Sequence, residues 1–254
     1  MKDTQKKAWE DVSDYDYQVF SVFSDKKAKN PIFNYLKKKS KNFIVADLGC
    51  GSGNFIPFLS KQFKHVVATD YSEALLKRAK KENKAKNVSY MHLDLKDLSS
   101  IHNELDIAVS VNSILPSTIS DIDVIMKEIY KTIKKGGEFV GILPSGDSII
   151  HLAIAEHQIM MDKGLSEKEA NKRISKQYEE KYPFNILGLN VYEPEESPQK
   201  MFFPFEIEWR LKKAGFKDIK LEKVHYSWEY CKKQGYGYCP GYESPWDWFV
   251  TAKK

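Results

Sequence analysis

Short apolar runs alternate with longer amphipathic stretches through the middle of the chain. Five of these runs are rich in β-forming residues and are short enough to be buried parallel strands. They lie at residues 43–46, 65–69, 88–93, 106–111 and 138–143. The stretches between them carry helical periodicity. This alternation predicts an α/β fold in which a mostly parallel sheet has helices on both faces.

Local signals indicate where the helices of this region begin and end. Ser72 is a suitable N-cap for a helix that follows the second strand. An amphipathic helix is predicted over 121–134, and the glycines of Lys135-Gly136-Gly137 are expected to end it. The core therefore consists of repeated strand–helix units.

The pattern changes after residue 144. Two helices are predicted at 147–162 and 166–182, with Gly164 between them, and a proline-containing loop follows up to residue 204. The sheet pattern then returns as a helix closed by Gly215 and two strands. These last elements lie at 204–216, 218–224 and 246–252.

The first strand leads into a glycine-rich loop, Asp47-Leu48-Gly49-Cys50-Gly51-Ser52-Gly53. Glycine permits a sharp turn and leaves no Cβ between the backbone and a ligand. A dinucleotide-binding fingerprint, Gly-x-Gly-x-x-Gly, would need glycine at position 54 or 56, where the chain has Asn54 and Ile56. The loop therefore predicts a nucleoside-type cofactor site of another kind.

The spacing Asp-x-Gly-x-Gly-x-Gly resembles motif I of the class I S-adenosylmethionine (SAM)-dependent methyltransferases. The resemblance covers about residues 41–144 and 204–254. It implies a Rossmann-like, seven-stranded, mostly parallel sheet with an antiparallel last strand and helices on both faces. It also implies SAM as the cofactor and S-adenosylhomocysteine as the product.

Acids at the strand ends extend the resemblance. Asp70 follows the second strand, 21 residues after Gly49, where an acid can accept hydrogen bonds from both ribose hydroxyls. By resemblance, Asp94 faces the adenine amino group, and the backbone N–H of Leu95 reaches a ring nitrogen. The segment 110–115 is where the methyl group would meet its acceptor. The full set expected to bind the cofactor is Asp47, Gly49, Cys50, Gly51, Gly53, Asp70, Tyr71, Asp94, Leu95, Ser110, Asn112 and Tyr15.

Two segments lie outside this core of a single predicted domain spanning 1–254. Residues 1–40 begin with an aromatic-rich helical pattern, interpreted either as a helix docked on the sheet or as a cap over the cofactor. In the second interpretation Tyr15 or Tyr17 would contact SAM or the acceptor. Residues 145–203 form a helical insertion beyond the carboxyl edge of the sheet, where ligand crevices lie, and are expected to cover the acceptor.

Composition limits which partners and which compartment we expect for the protein. The 254 residues carry a net charge of +5 from 40 basic and 35 acidic residues, which is typical of solvated helix faces rather than of a nucleic-acid footprint. No apolar run is long enough to span a membrane, and no secretory signal follows the N-terminus. The three cysteines show no Cys-x-x-Cys spacing, so we expect a cytoplasmic protein without a metal site. Both a monomer and a homodimer remain open.

The sequence says less about the methyl acceptor and about the residues that act on it. In-line methyl transfer requires alignment of the two reactants, and a base only when the acceptor must lose a proton. The candidates for a catalytic role are Tyr226, His225 and Asn112, with Glu229, His151 and His157 as weaker ones. The aromatic C-terminal third is either a packed hairpin or the wall of an acceptor pocket. Residues 231–244 are predicted to be a loop near it.

Three functional hypotheses remain from the sequence. The first is methyl transfer to the oxygen or nitrogen of a small molecule, favoured because an internal helical insertion suits an enclosed pocket. The second is transfer to a protein or RNA, although no Pro-Pro-aromatic step follows the fourth strand, so we do not expect a nucleic-acid substrate. The third is a non-catalytic SAM-binding protein, or a relative with the same fold that uses another nucleoside cofactor.

Overall fold

The computed structural model describes residues 22–181, 187–190 and 199–254, and all structural statements below refer to these residues. Seven strands form one sheet. They are β1 (Ile44–Leu48), β2 (His65–Asp70), β3 (Val88–His92), β4 (Leu105–Val111), β5 (Ile133–Pro144), β6 (Lys217–His225) and β7 (Trp246–Lys253). A separate two-stranded ribbon pairs Leu189–Asn190 with Gln199–Lys200.

Eight α-helices accompany the sheet in the described part of the chain. They are α1 (Ile32–Lys37), α2 (Ile56–Gln62), α3 (Glu73–Glu82), α4 (Ile119–Thr132), α5 (Gly146–Asp162), α6 (Glu167–Lys181), α7 (Pro204–Ala214) and α8 (Trp228–Lys233). The strand order is β3-β2-β1-β4-β5-β7-β6. Strands β1 to β5 pair in parallel, and β7 is antiparallel to both of its neighbours. The predicted fold class is therefore confirmed.

Two apolar layers cover the two faces of the sheet. Alternate residues of a strand point to opposite faces, so Val45 packs in one layer and Ala46 in the other. The layer containing Ala46 includes buried residues of α4 and α7, and the layer containing Val45 includes those of α1 and α2. Helices on both faces leave the carboxyl edge of the sheet as the place for a ligand.

Most of the predicted boundaries agree with the structure. Ser72 caps α3, because its side chain accepts a hydrogen bond from the backbone N–H of Leu75 at 3.3 Å. Gly215 ends α7 in the left-handed conformation, with φ of 115°. Both signals are local, and for this reason they can be read from the sequence.

Two predicted boundaries are wrong. Helix α4 ends at Thr132 instead of at the glycine pair, because Ile133 already pairs with Leu105 across β4 and β5. Residues 231–233, predicted as loop, belong to α8. Ser227 caps this helix by accepting from Tyr230 N at 3.2 Å, and the helix buries Tyr230 and Cys231.

The two segments outside the core are described only in part. Residues 1–21, with Tyr15 and Tyr17, lie outside the described residues, and so does most of the predicted loop at 182–204. The two predicted helices of the insertion are present as α5 and α6. Helix α5 contacts the C-terminal strand: Trp246 N donates to Ser148 Oγ at 2.9 Å, and Trp248 Nε1 donates to Asp147 Oδ1 at 2.9 Å. None of the described helices is long and apolar enough to cross a membrane.

Candidate functional site

The glycine loop after β1 has the backbone conformation that its sequence suggests. Gly49, Gly51 and Gly53 have φ values of 74°, 54° and 86°, in the left-handed region that other residues rarely adopt. A Cβ added at Gly49 would lie 2.3 Å from Cβ of Ser113. Positive φ and close packing therefore both require glycine at position 49.

Asp70, at the end of β2, holds this loop through backbone hydrogen bonds. Its Oδ2 accepts from Gly51 N at 2.8 Å, and its Oδ1 accepts from Ser72 N at 2.9 Å. Burial raises the pKa of Asp70, and these bonds, with one from Tyr71 N, oppose the rise. The side chain is thus part of the loop structure as well as a candidate for binding ribose.

A cavity opens at the carboxyl ends of β1 to β4, around the point where the chain order in the sheet reverses. Eight of the residues expected to bind the cofactor line this cavity: Asp47, Gly49, Cys50, Asp70, Tyr71, Asp94, Leu95 and Asn112. Other residues in the lining are Phe23, Ser24, Asn54, Phe55, Leu75, Leu93, Lys96, Val111, Ser113, Leu115, Pro116, Ser117, Asp121 and Ile125. The structure therefore brings together residues that are up to 65 positions apart in the predicted set.

Three of the expected residues are placed behind the lining. Gly51 and Gly53 shape the loop, and a Cβ at Gly53 would lie 3.0 Å from that of Ala79 on α3. Ser110 Oγ lies 2.6 Å from Ser113 Oγ, which donates to the Leu48 carbonyl oxygen at 2.6 Å. Gly51, Gly53 and Ser110 thus hold the glycine loop and the ends of β1 and β4 in place around the cavity.

Asp47 is a buried acid in the cavity whose pKa is raised. Its side chain is buried, and its Oδ2 has no hydrogen-bond partner among the described residues. Burial, with a smaller contribution from the charge of Asp70, raises the pKa of Asp47 to about 7. A buried acceptor of this kind suits a ligand that brings a hydrogen-bond donor or a positive charge.

Asn112 connects the cavity to a buried acid that the sequence analysis missed. Its Nδ2 donates to Asp247 Oδ2 at 2.9 Å, and Tyr226 OH donates to the same oxygen at 2.5 Å. Asp247 is 4% exposed, and burial raises its pKa to about 6. Its sequence context, between two tryptophans on a predicted strand, carried no signal of a functional role.

The candidate catalytic residues other than Asn112 do not line the cavity in the described part of the chain. Tyr226 is 1% exposed, and burial, with the charge of Asp247, raises its pKa well above the usual value. His225 Nδ1 lies 3.1 Å from the Ser244 carbonyl oxygen. His151 Nε2 lies 3.2 Å from the Glu243 carbonyl oxygen.

Glu229 and His157 do not line the cavity either. Glu229 forms an exposed ion pair with Lys27, and His157 lies on α5.

The aromatic residues of the C-terminal third pack mainly on one another. Tyr226 and Tyr230 stack with ring centroids 5.7 Å apart, and Trp246 and Trp248 meet edge to face at 6.4 Å. None of these four rings lines the cavity.

Within the described ranges, no three histidine, cysteine, aspartate or glutamate side chains gather as metal ligands would.

Comparisons with known proteins find methyltransferases. A family model described as a methyltransferase domain matches residues 45–137. A malonyl-[acyl-carrier protein] O-methyltransferase from Hamiltonella defensa is 30% identical over 97 residues, which cover 38% of this chain and 36% of that protein. A phosphoethanolamine N-methyltransferase from Triticum aestivum is 28% identical over 145 residues, which cover 54% of this chain and 28% of that protein. The matched part thus spans about a third of the length of these curated relatives.

Solved structures extend the likeness of the fold to most of the chain. An S-adenosylmethionine-dependent methyltransferase from Mesorhizobium loti matches with a TM-score of 0.58 and 16% identity, over 88% of this chain and 96% of that one. One from Methanosarcina mazei matches with a TM-score of 0.59 and 15% identity, over 88% and 97% of the two chains. Residues 45–137 are thus similar to a methyltransferase domain, and the sheet order agrees with the fold of these solved methyltransferases.

Proposed function

We propose that this protein is a SAM-dependent methyltransferase that transfers a methyl group to a small-molecule acceptor. The observation that carries the proposal is the buried, unpartnered carboxylate oxygen of Asp47 in a cavity beside the glycine loop. A cofactor with a positive charge and several hydroxyl and amino donors fits this cavity. SAM, when bound, supplies an electrophilic methyl group on a sulfonium.

The charge of the cavity favours SAM over phosphate-bearing nucleotides. Its lining includes the acids Asp47, Asp70, Asp94 and Asp121. Among the lining residues that the structure describes, the one basic side chain is Lys96, whose ammonium lies 3.5 Å from Asp121. Phosphates need compensating cations or donors, whereas a sulfonium and an ammonium are stabilised by carboxylates.

The order of the strands suggests how the cofactor lies. We propose that Asp70 and Tyr71 bind the ribose and that Asp94 and Leu95 bind the adenine, at the ends of β2 and β3. The methionine part then lies against Asp47, Gly49 and Cys50 at the end of β1. In this arrangement Asn112, at the end of β4, is next to the methyl group. Tyr15, outside the described residues, stays a predicted contact.

The acceptor side follows from the elements beyond β4. We propose that residues 145–203 belong to the same domain and cover the acceptor, since α5 is hydrogen-bonded to β7 next to Asp247. One curated relative is named a malonyl-[acyl-carrier protein] O-methyltransferase and the other a phosphoethanolamine N-methyltransferase. The two names support an oxygen or a nitrogen nucleophile, and the second supports a small molecule. The three free cysteines favour a reducing compartment, and we propose the cytoplasm.

A titration with SAM tests the cofactor half of this proposal. Asp94→Ala should weaken SAM binding several-fold, since one hydrogen bond contributes about 0.5–1.5 kcal/mol. Asp97→Ala is the matched control, because Asp97 is also an exposed aspartate on the segment after β3 but does not line the cavity. An unmeasurable affinity of the wild-type protein, or equal losses in both variants, would contradict the proposed site.

Transfer of radiolabelled methyl from SAM into a cell extract tests the catalytic half. We expect label in the small-molecule fraction. Label only in protein or RNA would favour a macromolecular acceptor, and SAM binding without any transfer would favour a non-catalytic SAM-binding protein.

A further inference from the structure

Residues 22–30 lie before α1 and belong to neither a helix nor a strand. They supply Phe23 and Ser24, the two described lining residues of the cavity that precede β1, whereas the other lining residues lie between Asp47 and Ile125. A segment of this kind has no helical or ladder hydrogen bonds. Its position therefore depends on contacts with elements elsewhere in the chain.

Phe23 contributes an aromatic wall to the cavity beside the end of β1. Its ring centroid lies 4.7 Å from that of Phe55 and 5.8 Å from that of Phe33 on α1. Phe55 also lines the cavity, and it is the N-cap residue of α2, just after the glycine loop. Phe23 thus adjoins the region of the cavity in which we place the methionine part of the cofactor.

Asp25, the next residue after Ser24, links this segment to the C-terminal part of the chain. The residue is 6% exposed. Its Oδ2 accepts from Ser227 N at 2.5 Å, and its Oδ1 accepts from Ser227 Oγ at 3.0 Å. A further bond from Lys27 N to Oδ1, at 2.9 Å, closes a local turn. Because hydrogen bonds to a charged carboxylate are stronger than those between neutral groups, the two bonds with Ser227 form a strong link across 202 positions.

Ser227 is itself held in place by the sheet and by α8. It lies just after β6, and its Oγ caps α8 by accepting from Tyr230 N at 3.2 Å. Val22, next to Phe23 in the chain, and Cys231 of α8 are both buried and belong to the same apolar layer. The link between Asp25 and Ser227 therefore joins the segment to a fixed part of the fold.

Resting on the proposed function, we propose that Asp25 is a positioning residue for cofactor binding, which holds Phe23 and Ser24 in the wall of the cavity through its link to Ser227. Asp25 is not among the described residues that line the cavity, so it acts through the two residues before it. Loss of the link lets the wall open, and a bound cofactor then leaves faster. The other role open to Asp25 is to shape the local turn through Lys27 N alone, which would leave the wall in place.

The first test needs no cofactor and uses two buried thiols. Burial, with a contribution from the charge of Asp25, raises the pKa of Cys231 to about 12, so this thiol lies near the link. Cys239 is equally buried but packs in a separate cluster against α5, which makes it an internal control.

Labelling with a thiol reagent, followed by peptide mass spectrometry, measures how often each thiol becomes exposed. In Asp25→Ala, Cys231 should be labelled about tenfold faster than in the wild type, while the rate at Cys239 stays the same. Asp25→Asn takes the place of the alanine variant if that variant does not fold. Equal acceleration at both cysteines, which reports general loosening, or no acceleration at Cys231 overturns the inference.

The second test measures SAM binding by calorimetry and separates the link from the local turn. Asp25→Asn can keep the turn, since asparagine also accepts a bond from the residue two positions on, but its amide N–H₂ cannot accept from Ser227 as the carboxylate does. The Kd for SAM should rise about three- to tenfold in this variant. A Kd equal to that of the wild type would leave Asp25 with the local turn only and overturns the inference.

Glu229→Gln is the matched control for the calorimetry. It removes the exposed ion pair between Lys27 and Glu229, which joins the same two parts of the chain. Exposed ion pairs contribute little, so the Kd for SAM should change less than about twofold. A rise as large as that in Asp25→Asn would overturn the inference, because the buried link would then have no special effect.

A double variant shows whether Asp25 acts through Phe23. Phe23→Ala alone should also raise the Kd for SAM, and Phe23→Ala combined with Asp25→Asn should raise it by less than the product of the two single effects. An effect equal to that product overturns the inference. A wild-type protein without measurable affinity for SAM contradicts the proposed function instead, and the labelling of Cys231 then still decides whether Asp25 holds the segment.

Discussion

Replacing Asp47 with asparagine should stabilise the ligand-free protein and weaken SAM binding. Burial raises the pKa of Asp47 from 3.8 to about 7, so ionisation of this group opposes folding. The direction of the pH dependence follows from the raised pKa. The free-energy cost of burying the ionised carboxylate is absent below the unfolded pKa, grows as the pH rises, and is complete above the folded pKa. The shift of about 3 pKa units corresponds to at most about 4 kcal/mol at pH 8.

The expected gain in the free energy of unfolding is smaller than this limit. Burying the new carboxamide has its own cost, so we expect Asp47→Asn to gain about 1–3 kcal/mol at pH 8 and almost nothing at pH 4. The affinity for SAM should fall about 10- to 150-fold, since a hydrogen bond to a charged group contributes about 1.5–3 kcal/mol. Urea unfolding at both pH values and calorimetry with SAM measure the two effects.

A surface variant provides the control for this experiment. Asp162→Asn changes an exposed aspartate at the end of α5, away from the cavity, and should alter the free energy of unfolding by less than about 0.5 kcal/mol. If Asp47→Asn destabilises the protein at pH 8, the assigned burial cost is wrong. If it leaves SAM affinity intact, Asp47 does not bind the cofactor.

Three further predictions concern the cavity and the insertion. The Kd of SAM should rise about tenfold for each pH unit by which the pH falls below about 7, because Asp47 must be ionised to bind a cationic donor. A Kd that calorimetry finds unchanged with pH would argue against this. Gly49→Ala should abolish measurable SAM binding, since its Cβ would lie 2.3 Å from Cβ of Ser113 in a backbone with φ of 74°; near-normal affinity would contradict the loop geometry. Gly237→Ala should speed hydrogen exchange in α5 while SAM still binds, because its Cβ would lie 1.7 Å from Glu156 Oε1; unchanged exchange would show that this contact does not hold α5.

The sequence predicts the fold and the cofactor side of the cavity because both depend on local patterns. Asp47, Asp70 and Asp94 lie at or just after the ends of strands that are short apolar runs, and the positive φ of residues 49, 51 and 53 favours glycine. Parallel strands bring their carboxyl ends to one edge of the sheet. For this reason acids far apart in the chain line one cavity.

The acceptor side depends on contacts between distant residues, which local patterns do not reveal. Asp247 reaches Asn112 across 135 positions, through the antiparallel placement of β7 beside β5. In the sequence it stands within an aromatic strand, where the alternation of residues predicts packing. The boundary of α4 was missed for a similar reason, because the pairing of Ile133 with Leu105 prevails over the local stop signal at Gly136.

A crystal structure of the protein with SAM bound would show directly how the cofactor lies in the cavity. We expect the adenine beside Asp94 and Leu95, the ribose hydroxyls at Asp70, and the methyl group facing Asn112. A nucleoside bound outside this cavity, or bound in the reverse direction with its adenine beside Asn112, would contradict it.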